Sequence, residues 1–325
     1  MVKDIDVVLS SRIRFARNIK DYPFAANIDE QSCREIIEKV EAVLGDFHKT
    51  DFTDIDPVTA QTYVENHSVS PEFAVSPLPR TLLEKGDTKV MVCEEDHIRL
   101  QVIKKGFSLN EAFAEACGTD DIILSKLRIA YDNELGFLTH CPTNLGSGMR
   151  ASVMMFLPGL GMTGELKGIV AQLSKLGYTI RGIYGEGSDT KGHIYQISNA
   201  ETMGMTEEAT VSRLCDIVTQ IIGHERNARE RIKAQGIRNR DAVCRALGIL
   251  KYACTMTSKE FIELYSKVRL GVALEIIDET DYETLDALFT SVMPATISLG
   301  QKLTEAERDI KRAEIIKEKL RRGDK

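Results

Sequence analysis

The chain has 325 residues, 43% of them hydrophobic and 28% charged, which is the composition of a globular protein large enough for one big domain or two ordinary ones. With 42 Lys and Arg against 49 Asp and Glu, its formal net charge of −7 excludes a general affinity for nucleic acid, so any anion site has to be local. No apolar signal core opens the chain, no run is long enough to span a bilayer, and the 7 cysteines lack CxxC or CxxH spacing, which argues for a cytoplasmic protein without a zinc site, a disulfide framework or a membrane partner.

In chain order, residues 6–9 read as a short apolar strand leading into Ser10-Ser11-Arg12-Ile13-Arg14. Arg12 and Arg14 alternate with Ile13, so on an extended backbone both guanidinium groups point to one face, where they repel unless an anion lies between them. Residues 29–44 carry Ile36, Ile37, Val40 and Leu44 at helical spacing. Residues 46–79 read as loop-rich, with Pro71, Pro77 and Pro79 breaking regularity and His67 among them. Residues 89–103 read as two central strands joined by an acidic turn that holds Glu94, Glu95, Asp96 and His97, with Arg99 just beyond. Charges so concentrated between buried strands are costly unless they serve a site.

A helix is expected to begin over 110–117 and to continue over 120–130, followed by a strand at 135–139. That strand runs into Cys141-Pro142-Thr143-Asn144-Leu145-Gly146-Ser147-Gly148-Met149-Arg150. A thiol, an amide, two glycines that let backbone approach a ligand and a closing arginine are site chemistry, although alone they also suit a tight turn. A buried strand to Leu157, a Pro158-Gly159 turn and a helix through Leu176 follow. Residues 178–189 read as a strand ending in a glycine-punctuated loop able to fold over a ligand and carry Glu186 with it, with 193–198 as the return strand. Residues 206–231 are helical. Beyond Gly236 only helices are expected, at 241–253, 258–271, 282–291 and 304–320, a shift that divides the chain into residues 1–230 and an all-α domain at 231–325.

Arg12, Arg14, Arg99, Arg150 and Arg181 therefore stand at strand ends in separate segments. The planar guanidinium fork binds phosphate oxygens in pairs, so a convergent set would cradle a polyphosphate. The chain has neither GxxxxGK[ST] nor a full GxGxxG, which leaves that task to the arginines.

Leu9-Ser10-Ser11-Arg12-Ile13-Arg14, Glu94-Glu95-Asp96-His97-Ile98-Arg99, Cys141-Pro142-Thr143-Asn144-Leu145-Gly146, Arg181-Gly182 with Gly185-Glu186, and Tyr195-Gln196-Ile197-Ser198-Asn199 occur here in one order. In that order they resemble the phosphagen (guanidino) kinases. The resemblance covers roughly residues 1–230 and implies an α+β fold, an antiparallel sheet flanked by helices. It implies Mg-ATP held by the five arginines with Ser10, Ser11, Ile13, His67, Ala151, Ser152, Val153, Met154, Gly182, Ile183, Tyr184 and Gly185, the metal being bound through the phosphates. It also implies a substrate guanidinium held by Glu95 and Glu186 beside Cys141, with Glu94 and Asn144 in support.

Three departures narrow the resemblance. The chain starts only a few residues ahead of its Ser-Ser-Arg motif, where the small-molecule phosphagen kinases have a helical domain. Met154 stands where a nucleotide-side histidine is usual. An added helical region holds Arg308-Asp309-Ile310-Lys311-Arg312-Ala313, an RDxxRA sequence that resembles the bacterial protein-arginine kinases of the McsB type, where it forms a phosphoarginine-binding pocket. On a helix Arg308 and Arg312 are i and i+4, which suits two cations for a phosphoryl group with Asp309 for a guanidinium, and equally suits a solvated salt-bridged face. The apolar stripe Phe261, Leu264, Val268 and Val272 suggests a homodimer.

The resemblance thus implies transfer of the ATP γ-phosphoryl to arginine of protein substrates, with an activator protein and a Clp-type protease as partners in quality control. A kinase of free arginine or another small guanidine, and a non-catalytic phosphoarginine reader, stay open as alternatives.

Overall fold

The computed structural model describes residues 2–182 and 191–321. Its centre is β1 (Val8–Arg17), paired on one side with β5 (Ile98–Lys105) and on the other with β8 (Met149–Phe156). Beyond β5 lie β4 (Thr88–Val92), β3 (Thr81–Lys85) and the edge strand β2 (His48–Asp51). Beyond β8 lie β10 (Ile194–Asn199) and the other edge, β9 (Tyr178–Gly182). Every neighbouring pair is antiparallel, as the resemblance implied.

Period-two alternation gives this sheet two unlike faces. Ile13 and Phe15 of β1, Leu100 and Val102 of β5, Ala151 and Val153 of β8 and Ile197 of β10 all point one way and are buried. They form one core with α1 (Glu30–Val43), α4 (Leu109–Lys126) and α7 (Glu207–Ala234). Helix α1 turns Cys33, Ile36 and Val40 into that core and is capped by Asp29, whose carboxylate accepts from the Ser32 amide at 2.7 Å. The other face carries the arginines.

Residues 46–79 are more regular than their prolines suggest. They hold β2, then α2 (Pro57–Glu65) and α3 (Pro71–Val75), capped by Asp56 and Ser70 with Pro57 and Pro71 in their first turns. Proline there removes only an amide that would have no helical partner, so it starts a helix. The same reasoning turns the expected Pro158-Gly159 turn into the start of α5 (Pro158–Thr163), which is followed by α6 (Leu166–Lys175). The strand expected at 135–139 shrinks to β7 (Gly136–Phe137), paired with β6 (Tyr131–Asp132).

The C-terminal helices are α8 (Ile237–Tyr252), α9 (Ser258–Ala273), α10 (Tyr282–Ser291), α11 (Pro294–Ser298) and α12 (Glu305–Arg321). Their core includes Phe156 and Ile194, so they cover one end of the arginine-bearing face of the sheet. Helix α7 runs unbroken across residue 230. Its buried Glu225 accepts from the amides of Gly159 and Leu160, both at 2.9 Å, while Arg229 donates to the Phe156 carbonyl at 3.1 Å. The apolar stripe of α9 is consumed inside the chain: Phe261, Leu264 and Val268 are all buried in this core, which removes the ground for reading that stripe as a dimer surface. Among the described residues no helix is long and apolar enough to cross a membrane.

Candidate active site

The register of the central strands assembles the cations. Arg14 lies opposite Arg150 on β8 and Gln101 on β5, Arg12 opposite Ser152, and Ala16 opposite Arg99, so Arg12, Arg14, Arg99 and Arg150 share one face. Arg181 on β9 lies opposite Gln196 and close enough to Arg150 to raise the local positive potential. Arg12 donates to the Ser152 hydroxyl at 3.3 Å and Arg150 to that of Ser198 at 2.9 Å, neutral partners that balance no charge. The buried Nε atoms of Arg14 and Arg150 have no hydrogen-bond partner among the described residues.

Burial, and then repulsion by Arg99 and Arg150, pushes the Arg12 guanidinium down to about 10. Burial with the charges of Arg12, Arg99 and Arg150 pushes Arg14 well below the usual arginine range. Cations this disfavoured by their neighbours gain most from a bound polyanion.

The turn between β4 and β5 holds the carboxylates and gives two adjacent glutamates different environments. Glu94 is buried, ion-paired with Arg99 and bonded to the Ser70 hydroxyl at 2.6 Å; although burial opposes it, those partners hold its carboxyl below the ordinary value. Glu95 is raised, first by burial and then by the charges of Glu94 and Asp96. Glu95 lines a cleft of ≈ 200 Å³ together with Arg14, Arg99, Arg150, Cys141 and Asn144. Glu94, Glu95 and Arg99 also line a wider opening of ≈ 610 Å³ next to it, with Glu72 and His140.

A buried polar clamp sets the spacing between the glutamate turn and the Cys141 loop. Asp96 accepts from the Asn18 amide at 2.6 Å and from the His140 backbone amide at 2.7 Å, and Asn18 in turn accepts from the His97 amide at 2.8 Å. His97 Nδ1 accepts from the Ile19 amide at 3.0 Å, so the ring proton sits on Nε2 and is donated to the Pro23 carbonyl at 2.9 Å. The Cys141 thiol lies 3.0 Å from the Thr143 hydroxyl.

The two glycines of this loop serve the chain's own packing. A Cβ at Gly146 (φ +102) would stand 2.5 Å from the Thr202 carbonyl oxygen, and one at Gly148 (φ +62) 2.6 Å from Arg17 Nη1. Ligand approach, the sequence-based reading of both, is not what requires them.

Of the residues expected around ATP, Ser10, His67 and Met154 line clefts next to Arg12, and Ser152 faces the cradle. The His67 imidazole is held below the usual histidine range by loss of water and by the charges of Arg12 and Lys89. Ser11, Ile13, Ala151 and Val153 are corrections: their alternate positions turn their side chains to the opposite face, where all four are buried. Ser11 there donates to the Gly106 carbonyl at 2.8 Å and accepts from the Ser108 amide at 3.1 Å, anchoring the turn into α4. Gly182 ends β9, while Ile183, Tyr184, Gly185 and Glu186 lie outside the described residues.

On α12, Arg308 and Arg312 differ in setting. Arg308 is half-buried and donates to the Leu303 carbonyl at 3.2 Å. Arg312 is fully buried, donating to the carbonyls of Val292 at 2.9 Å and Met256 at 2.7 Å and pairing with Asp309, so it holds the helices together and is no open phosphoryl clamp.

Sequence reasoning overlooked Ser70, Asn18 and the clamp role of Asp96. It quoted Ser198 and Asn199 without a role, yet Asn199 accepts from the Ala151 amide at 2.8 Å and so fixes the start of β8 beside Arg150.

The sequence model of the ATP:guanido phosphotransferase C-terminal catalytic domain matches residues 28–228, and that of the protein-arginine kinase McsB C-terminal domain matches residues 226–325. A protein-arginine kinase of Caldanaerobacter subterraneus subsp. tengcongensis is 43% identical over 99% of this chain and 99% of its own length. One from Geobacillus stearothermophilus is 40% identical over 97% of this chain and 91% of its own. Among solved structures, a duplicated taurocyamine kinase of Schistosoma mansoni is 25% identical with a TM-score of 0.61, over 67% of this chain and 33% of that one. A lombricine kinase shares the fold with a TM-score of 0.59 at 24% identity, over 68% of this chain and 66% of its own.

Proposed function

The chain belongs to the ATP:guanido phosphotransferases and, through its C-terminal region, to the protein-arginine kinases among them, and on that premise we propose that it transfers the γ-phosphoryl group of ATP to arginine side chains of proteins in the cytosol. The observation that carries the reading is the meeting, in one cleft of ≈ 200 Å³, of Arg14 and Arg150, which have no ion-pair partner among the described residues, with Arg99, which Glu94 holds, and with Glu95, a glutamate with a raised affinity for protons.

The phosphates lie against Arg12, Arg14, Arg99, Arg150 and Arg181. The buried Nε groups of Arg14 and Arg150 fit an anion's oxygens. Mg²⁺ would bind through the phosphates, not through protein ligands, and would supply further neutralisation of the transferring group. The substrate guanidinium enters beside Glu95 and Cys141. A guanidinium is protonated at any ordinary pH and is a poor nucleophile until it loses that proton. The Glu95 carboxylate orients it and accepts the proton at a carboxylate oxygen as the N–P bond forms. The bond from the γ-phosphorus to the bridging oxygen breaks, and ADP leaves with that electron pair. Glu94 does not exchange protons in this scheme. Its pairing with Arg99 keeps that guanidinium in place.

We assign residues 1–230 to catalysis and 231–325 to a helical region with a second site on α12. There Arg308 is the accessible cation for phosphoarginine, and Arg312 positions Asp309.

Incubation with Mg-ATP and an arginine-rich protein, in parallel with free arginine, tests the reading. Acid-labile phosphate on protein arginine is expected. Transfer to free arginine alone would make the chain a small-guanidine kinase, and transfer to neither would leave it a reader of phosphoarginine.

A further inference from the structure

Two thiols that the transfer scheme does not use meet beneath the glutamate turn. Cys33 stands in the first turn of α1, and Cys93 follows β4 directly and leads into Glu94 and Glu95. They are 60 positions apart in sequence, yet the Cys93 sulfur lies 3.7 Å from the Cys33 carbonyl oxygen and the two thiols hydrogen-bond with each other. Both belong to the main core, Cys33 fully buried and Cys93 7% exposed. That small exposure faces the active site: Cys93 lines the opening of ≈ 610 Å³ with Glu94, Glu95 and Arg99, so a small solute entering there meets its sulfur.

A buried cysteine is ordinarily an inert small hydrophobe, but this pair is both strained and polarised. Cys93 has a φ of 64°, a backbone conformation costly for a residue with a Cβ. Its amide donates to the His97 carbonyl at 2.9 Å and that of Glu94 to the Asp96 carbonyl at 3.1 Å, so Cys93 is the base of a tight turn with Glu95 at its tip. Hydrogen bonding to Cys93 lowers the Cys33 thiol below its ordinary value, while the Cys93 thiol is pushed up by that same bond and by burial. The pair therefore gives up one proton more readily than an ordinary thiol and holds the other between its sulfurs, which sets a thiolate beside a thiol.

We propose that Cys33 and Cys93 are a modification site for peroxide, which joins them in a reversible disulfide and slows the chemistry at Glu95. A thiolate sulfur attacks one peroxide oxygen, the O–O bond breaks, and the departing oxygen leaves with the electron pair as hydroxide and takes a proton to become water. The partner sulfur then attacks the sulfenic sulfur, its proton and the displaced hydroxyl leave as a second water, and the S–S bond forms. The two sulfurs lose two electrons and the two peroxide oxygens gain them. Closing the bond draws the sulfurs from hydrogen-bond distance to about 2.0 Å and pulls Cys93 toward α1. The shift passes through the base of the turn to Glu94, which holds Arg99, and to Glu95.

Peptide mapping by mass spectrometry under non-reducing conditions, after graded hydrogen peroxide, reads the bond directly. A cross-linked peptide joining Cys33 to Cys93 is expected, with kcat lowered on the order of tenfold and restored by dithiothreitol. Cys33→Ala separates this effect from oxidation of Cys141. Reduced, it should match the parent in kcat; oxidised, it should lose only the activity that Cys141 accounts for. Absence of the Cys33–Cys93 peptide at a dose that fully oxidises Cys141 overturns the proposal, and so does an equal loss of kcat in the oxidised parent and oxidised Cys33→Ala. The effect on rate rests on the kinase reading above. The mapping needs neither phosphoryl transfer nor a variant that folds, so failure of that reading and failure of this site are distinguishable.

Discussion

Glu94 and Glu95 are neighbours in sequence with opposite proton affinities, and the difference decides which of them can act as a base. Glu94 has a cation and a hydroxyl on its carboxylate, which keep it ionised and unavailable. Glu95 faces the cleft beside two other acids and binds a proton more readily than an ordinary glutamate. Glu95→Gln should therefore cut kcat on the order of 10²-fold while ATP affinity persists. Because the base works only when ionised and its proton affinity is raised, the rate should fall with falling pH through a value above the usual 4.5 of glutamate. A near-normal kcat in Glu95→Gln would remove it from the proton transfer. That this turn sets three acids between buried strands was legible in the sequence, and such a concentration of charge has no cheap structural excuse. The resemblance already set Glu95 on the substrate and Glu94 in support, but the physical reason was not legible, because it depends on Ser70, 24 positions away in sequence and adjacent only once α3 has folded.

At the scale of elements, the strand β1 carries the arginines on alternate positions, and Arg17 at its end ties the Cys141 loop to the sheet. Arg17 grips Asp120 of α4 at 2.7 Å, donates to the Ser147 carbonyl at 2.8 Å and stacks on the Phe137 ring at 3.6 Å from its centroid. Gly148 lies against Arg17 because it has no side chain and a positive φ. Gly148→Ala should cost about 1–3 kcal/mol of stability by backbone strain and contact with Ala16 and Arg17, and should lower activity by shifting the loop. Thermal unfolding checks the first, and an unchanged Tm would mean the loop relaxes freely. Alternation made β1, β5 and β8 readable from sequence, together with the face that Arg12 and Arg14 share. It also carried the information that Ser11, Ile13, Ala151 and Val153 turn away, which the motif resemblance obscured by treating whole stretches as ligand contacts. Pro57 and Pro71 misled the reading of 46–79 because a proline that starts a helix looks, in sequence, like one that stops it.

Across the whole molecule, one sheet face is shared between the arginine cleft and the C-terminal helices, and α7 links the two regions without a break. The helical character of residues 231–325 was legible from apolar spacing. Where its faces point was not, since spacing cannot tell an internal core from a surface that pairs with another chain, and α9 proved to be core. The RDxxRA sequence raises the same question on α12, and the structure separates its two arginines. Arg312→Ala would leave the buried carbonyls of Val292 and Met256 without donors and Asp309 without its cation, a loss of about 2–4 kcal/mol that should lower the melting temperature. Arg308→Ala removes one half-buried side chain with a single carbonyl contact and should leave that temperature nearly unchanged. A double substitution would therefore confound folding with recognition. If Arg308 is the cation that meets phosphoarginine, Arg308→Ala alone should weaken its binding by about 1.5–3 kcal/mol, the worth of a charge-assisted contact, with ATP affinity intact. Calorimetry that finds equal phosphoarginine binding by parent and Arg308→Ala, both folded, would take Arg308 out of the second site.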